Sequence, residues 1–212
     1  MKGILFDTFH SFDNFALILT SKTIGQPIVK TEYVEVLGAD GQLDLTEAFG
    51  EVKYLNRKLT FVFSIFEDAN EWAAAYSRVL NNLHGKKMKI VLDDDPDFYY
   101  IGRVTVSDYV SSKRIGNITI EVDAEPYKYK QILTIVTRTV NGTLNMDYYN
   151  LRKSVVPKFV TTAQVQITHN GNTYTIGSGT HIIPNIIFTR GTNTLTLSGT
   201  ATVAVHYQEG DL

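Results

Sequence analysis

Residues 57–66, RKLTFVFSIF, alternate polar and apolar side chains, with Leu59, Phe61, Phe63 and Ile65 on one parity. Successive side chains of a strand point to opposite faces, so this period of two predicts a strand with one buried face. The next stretch, DANEWAAAYSRVLNNLHG, changes period. Trp72, Tyr76, Val79, Leu80 and Leu83 recur at helical spacing and predict a helix over 68–83 with one buried stripe. Asp68 and Glu71 have the spacing of a capping box, and Gly85 offers the left-handed residue that ends a helix. Residues 86–92, 98–110 and 117–124 return to strand-like patterns.

Beyond residue 130 the pattern is all short runs and turns. In VQITHNGNTYTIG, Asn170-Gly171 separates two alternating runs, which predicts a hairpin because both turn positions favour residues that tolerate positive φ. The stretch TRGTNTLTLSGTATVAVHY predicts two further strands, with turns at Gly191 and at Ser198-Gly199. Closely spaced turn signals without a helical period point to a small β-sandwich. Composition shifts at the same place. Residues 131–212 hold only eight of the 42 charged side chains but 16 threonines, and threonine's stiff β-branched side chain suits a pleated surface. The expected division is 1–130 and 131–212.

A formal net charge of -2 gives no footprint for binding nucleic acid or an acidic membrane. The absence of cysteine removes disulfides, thiolate metal sites and cysteine nucleophiles. Near the N-terminus only Ile4, Leu5 and Phe6 form an apolar run, short of the roughly 7–15 residues of an export signal. No stretch approaches the ~20 apolar residues needed to span a bilayer. The expectation is a soluble chain with no membrane insertion.

Candidate chemistry centres on LDDDPDFYY, residues 92–100. Asp93, Asp95 and Asp97 match the first three ligand positions of an EF-hand loop, but Phe98 stands where that loop needs glycine and Val104 where it needs glutamate. Aspartates and a proline between two strands read more simply as a hairpin connection. Gly85-Lys86 lacks the upstream glycine and downstream hydroxyl of a phosphate-binding loop. Gly177-Ser178-Gly179 is not a nucleophile elbow. His10, His84, His169, His181 and His206 share no metal-ligand spacing. The sequence nominates no catalytic residue, no cofactor and no metal, and the expected answer to whether this is an enzyme is no. In EPYKYK, residues 125–130, tyrosines and lysines alternate. Such interleaving suits stacking on sugars or bases, but period two makes it a strand with tyrosines inward.

Four stretches in order resemble the distal tail proteins of long-tailed, non-contractile phages and their prophages. They are GADGQLDLTEAFGEVKYLNRKLTFVF (38–63), LHGKKMKIVLDDDPDFYYIGRV (83–104), GNITIEVDAEPYKY (116–129) and the terminal VHYQEGDL (205–212). The resemblance implies a mainly β protein: an N-terminal β-sheet or sandwich domain with one helix and a β-hairpin belt, then a C-terminal galectin-like β-sandwich. It implies a homo-hexameric ring, possibly back-to-back as a dodecamer, acting as a hub in the baseplate at the virion tail tip. Such a protein is made in the bacterial host cytoplasm. Its partners would be the tail tube protein on one side and a tail-associated lysin or receptor-binding protein on the other, with DNA as passing cargo. The competing reading is a cell-wall saccharide-binding module acting through the second domain.

The belt of the family falls near residues 38–57, too long for a tight turn between strands. Leu43, Leu45, Phe49, Tyr54 and Arg57 are the inter-subunit interface candidates, interspersed with Asp40, Asp44 and Glu47. A ring is a closed heterologous assembly, so one patch must meet a different patch on the next subunit. For Phe49 and Tyr54 the other possibility is that they fold back over their own domain's core.

Overall fold

A computed structural model describes residues 3–48, 50–66, 68–111 and 116–212. The chain divides into two compact units, residues 1–126 and 127–212, and both are mainly β.

The first unit begins with β1 (Ile4–Phe6), β2 (Phe9–His10), a short helix α1 (Ser11–Phe15) and β3 (Leu17–Ile24). It continues through β4 (Tyr33–Glu35), β5 (Gln42–Asp44) and β6 (Arg57–Ile65). A 3-10 turn (Ala69–Glu71) leads into α2 (Trp72–Leu83), followed by β7 (Lys87–Leu92), β8 (Asp95–Ser111) and β9 (Gly116–Ala124). An antiparallel sheet runs β2-β1-β7-β8-β9-β6-β3. In β6, Leu59, Phe61, Phe63 and Ile65 are buried as the alternation requires, and the first three lie opposite Val122, Ile120 and Ile118 of β9. Burying each such side chain contributes about 1.5–3 kcal/mol, so this strand pair is the centre of the core. α2 lays Trp72, Ala75, Val79 and Leu83 on that core, with Tyr76 and Leu80 packed at its edge.

The helix departs from expectation at its start. The capping box at Asp68 does not form: Asp68 makes no side-chain cap, and its carbonyl instead accepts the Glu71 N–H to close the 3-10 turn. α1, unforeseen in the sequence, is capped by the ring of His10 and ended by Ala16 in the left-handed conformation.

The second unit contains β10 (Lys128–Lys130), β11 (Thr134–Asn150), β12 (Lys158–Thr161), β13 (Val165–His169), β14 (Asn172–Ile176), β15 (Gly179–Ile182), β16 (Gly191–Tyr207) and β17 (Gly210–Asp211). β10 pairs with β17 and ties the two ends of the unit together. Tyr129 is buried there, whereas Tyr127 precedes the strand. Asn170 and Gly171 form the expected hairpin turn, with φ of 48° and 79°. The turn expected at Ser198-Gly199 does not exist. β16 runs unbroken for 17 residues against β11, from Gly191↔Asn150 to Tyr207↔Thr134. Its other edge holds β13 along one half and β12 along the other. Two strand pairs, β13–β14 and β12–β15, thus close over one core as a β-sandwich. Phe188 sits at its centre, its ring 5.4 Å from Tyr148, 5.2 Å from Tyr207 and 6.4 Å from His169.

Candidate assembly interface

Residues 25–56 leave the sheet between β3 and β6 as an antiparallel arm. Its stem is fixed by main-chain hydrogen bonds: Gly25 donates to Lys58, Leu55 to Ile28 and Lys30 to Lys53, with Val29 bridged to Tyr54. Its tip is the β4–β5 hairpin, in which Tyr33, Val34 and Glu35 lie opposite Asp44, Leu43 and Gln42. Gly38 and Gly41 turn the tip with φ of 83° and 77°. Between tip and stem the returning strand makes an excursion. Asp44 starts it: its carboxylate accepts the Thr46 N–H at 2.9 Å, while the Thr46 hydroxyl accepts the Glu32 N–H at 3.2 Å. The Thr46 hydroxyl and N–H hold the Asp44 carboxyl below its ordinary pKa.

The arm has almost no core of its own. Among the described residues β4 and β5 pair only with each other, and every residue of both strands is exposed. Ile28, Tyr33, Val34, Leu37, Leu43 and Leu55 all present apolar surface, with Leu37 fully exposed at the tip. A two-stranded ribbon is marginal in water by itself, and exposed apolar side chains concentrated on one element are a pattern common at protein–protein contacts. Six carboxylates against two lysines make the same segment acidic. Two clefts flank the excursion, of about 460 Å³ beside Val29, Tyr33 and Val52 and about 240 Å³ beside Lys30, Leu45 and Lys53.

The five candidates separate. Leu43 is exposed on the arm's tip, while Leu45 is half-buried and its N–H bonds the Glu32 carbonyl. Tyr54 is half-buried on the stem. Phe49 lies outside the described residues. Arg57 stands apart, at 3% exposure inside its own unit. Its Nε donates to the Gly25 carbonyl at 2.8 Å, and its guanidinium lies 5.6 Å from the Tyr100 ring centroid. Burial lowers its pKa, with Tyr100 opposing. The outgoing strand's Ile28, Tyr33, Val34 and Leu37 were not among the candidates. The run IVKTEYVEVL before Gly-Ala-Asp-Gly carried that information, since β-branched residues ahead of a glycine-bounded turn describe the first strand of a hairpin.

The aspartates make a connection. Asp93 and Asp94 turn β7 into β8, and Leu92 pairs with Asp95. Asp93 Oδ2 accepts the Gly3 N–H at 2.6 Å and lies 3.2 Å from His10 Nε2, while Asp94 is ion-paired with Lys22. Among the described residues no group of three or more His, Cys, Asp or Glu is arranged to hold a metal, and no helix is long and apolar enough to cross a membrane.

No protein-family model matches the sequence, and no curated protein does. Among solved structures, the chain is similar over its whole length, and over the whole of the other chain, to the Dit protein (gp 19.1) of phage SPP1, a paradigm of the hub adsorption apparatus in phages infecting Gram-positive bacteria; the TM-score is 0.74 at 13% identity. A chain of a native gene transfer agent virion matches 58% of this chain and 95% of its own length at 15% identity, with a TM-score of 0.34. From first residue to last, this chain therefore has the fold of the SPP1 Dit protein.

Proposed function

We propose that this chain is a structural hub protein of a phage tail tip. Six copies form a ring, which joins the tail tube to the host-adsorption apparatus and leaves a central channel for DNA. The first unit forms the ring, and the second is a galectin-like sandwich. The arm carries this reading. An acidic ribbon with apolar side chains exposed on an isolated hairpin gains stability only when another surface covers it. In a ring of identical subunits that surface belongs to the next copy. The shared fold with a protein of the hub adsorption apparatus supports the same role.

Saccharide binding through the second unit has less behind it. Tyr148, Phe159, Phe188 and Tyr207 are committed to the core, and Tyr149 is the aromatic left exposed. The outward rows carry hydroxyls already bonded across the strands, to another hydroxyl in Thr168–Thr173 and to an amide oxygen in Thr196–Asn145.

Size-exclusion chromatography with light scattering tests the proposal. The expected mass is six or twelve times the 23.8 kDa protomer. Val34→Ser with Leu43→Ser should return it to protomer mass with the β-signature of circular dichroism unchanged. A protomer that stays monomeric at every concentration, alone and with a tail tube protein, overturns the reading.

A further inference from the structure

We propose that Arg57 is the positioning residue of the arm: it fixes the angle at which the ribbon leaves the sheet, and so whether the ring can close. This rests on the arm's role in assembly given above. Arg57 occupies the point where the returning strand of the arm becomes β6, and Gly25 the point where β3 becomes the outgoing strand. The bond from Arg57 Nε to the Gly25 carbonyl therefore joins the two roots of the arm from within the unit. It adds to the main-chain bond from Gly25 N–H to the Lys58 carbonyl, at 2.8 Å.

The surroundings are shaped for a guanidinium. Arg57 lies opposite Ala124, and Ala124 opposite Gly102, so the two neighbouring strands present small residues on that row. A Cβ at Gly102 would come within 2.7 Å of the Ala124 Cα and 2.5 Å of Val122 Cγ1. Two residues before Gly102 on the same strand face, the buried ring of Tyr100 receives the cation. The guanidinium is held by a carbonyl and a ring, and among the described residues Nη1 has no hydrogen-bond partner. For core stability alone that is a poor choice. A buried cation loses its hydration, and an apolar side chain of similar volume often serves a core as well or better. What a planar, hydrogen-bonding fork provides is a defined geometry between two backbone segments. The stem's main-chain bonds fix register along the ribbon, whereas Arg57 fixes the ribbon to the sheet.

The chain has no cysteine, so paired spin labels can be placed cleanly, one at Leu37→Cys on the arm tip and one at Thr105→Cys on the sheet. Distances are measured by pulsed electron paramagnetic resonance on protomers diluted below ring formation. The unaltered root should give one narrow distribution. Arg57→Met should broaden it and raise the concentration of half-dissociation of the ring at least tenfold, while the melting midpoint of the first unit stays within a few degrees. Arg57→Lys, which keeps charge but loses the fork, should fall between the two. Should Arg57→Met fail to fold, Arg57→Lys alone must show the broadening. An unchanged distribution, or a broadened one with unchanged ring affinity, overturns the proposal. The variant Val34→Ser with Leu43→Ser separates the two readings. It should lose the ring with a narrow distribution, and if it keeps the ring, the assembly role of the arm fails whatever Arg57 does.

Discussion

Gly142 and Gly199 lie directly opposite each other near the midpoint of the 17-residue β11–β16 ribbon, both with positive φ, 90° and 146°. The pair sits where β16 passes from β13, whose pairing ends at Gly199, towards β12, whose pairing starts at Val203. Two long strands can follow both halves of a sandwich only if they bend together, and facing glycines provide that bend without side-chain conflict.

The two glycines should differ in their tolerance of alanine. A Cβ at Gly199 would lie 3.0 Å from the Gln164 carbonyl, in a conformation that L-residues rarely adopt, whereas at Gly142 nothing lies within 4 Å. Gly199→Ala should destabilise the second unit by about 2 kcal/mol or more, and Gly142→Ala by about 1 kcal/mol from backbone strain alone. Denaturant unfolding of the two variants checks the order. Equal effects would mean that contact with Gln164 is not the determinant.

Alkaline pH should loosen the second unit. Burial pushes the Tyr148 phenol up to about 12 from 10.0, with Arg138 opposing and Tyr207 adding to the rise. The Tyr207 phenol is raised as well, by burial first and Glu209 second. In the unfolded chain these groups ionise near 10. A raised folded-state value means that the stabilisation is fully present below pH 10 and is lost as pH climbs towards 12. For Tyr148 the loss is about 2–3 kcal/mol. Tyr148→Phe should flatten the fall in unfolding free energy above pH 10, and an unaltered slope in that variant assigns the transition elsewhere.

The aspartate turn should respond to its hydrogen bonds and not to cations. Asp93→Asn removes the charge from bonds to Gly3 and His10 and should lower the first unit's stability by about 1 kcal/mol. Asp95→Asn with Asp97→Asn should melt as the parent does, with or without calcium. Saturable stabilisation of the parent by calcium, abolished in the double variant, would restore the metal reading, because a ligand that binds the folded state in preference to the unfolded one raises the melting midpoint.

Local rules made some of this architecture readable in advance and left the rest hidden. β6 and α2 were legible because Leu59, Phe61 and Phe63 follow period two and Trp72, Val79 and Leu83 a helical one, and each buries the face its period assigns. The Asn170-Gly171 turn was legible because its backbone needs those residue types. Ser198-Gly199 misled for the same reason. A glycine in a bent strand and a glycine in a turn look alike in one dimension, and the facing Gly142 is 57 positions away. Arg57 misled through its charge. An arginine at the end of a charged stretch reads as surface, and only the pairing of β6 with β9, and of β9 with β8, brings Ala124 and Tyr100 around it. The arm's first strand went unread because its apolar residues have no inward face within the chain for the alternation to follow.

Ala16→Gly should stabilise the first unit, against the usual sign for introducing glycine. Ala16 ends α1 with φ 52° and ψ 36°, in the left-handed region. There its Cβ crowds the following carbonyl, which costs about 1–2 kcal/mol. The conformation is over-determined by its bonds: the Ala16 N–H reaches the Phe12 carbonyl at 2.8 Å, and its own carbonyl accepts the Phe66 N–H at 2.7 Å. Both bonds belong to the main chain and survive the substitution. Glycine removes the crowding but gives the unfolded chain more freedom, an opposing effect of about 0.4–1 kcal/mol. The balance is a gain of up to about 1.5 kcal/mol, which for a unit of this size raises the melting midpoint by a few degrees. Asp7, with the same φ of 52°, supplies the contrast. Its carboxylate accepts the Lys89 N–H at 2.7 Å, so Asp7→Gly loses that bond along with the strain and should be neutral or destabilising. Calorimetry of the two variants separates them, and a lower midpoint for Ala16→Gly would mean that the left-handed cap carries no strain to relieve.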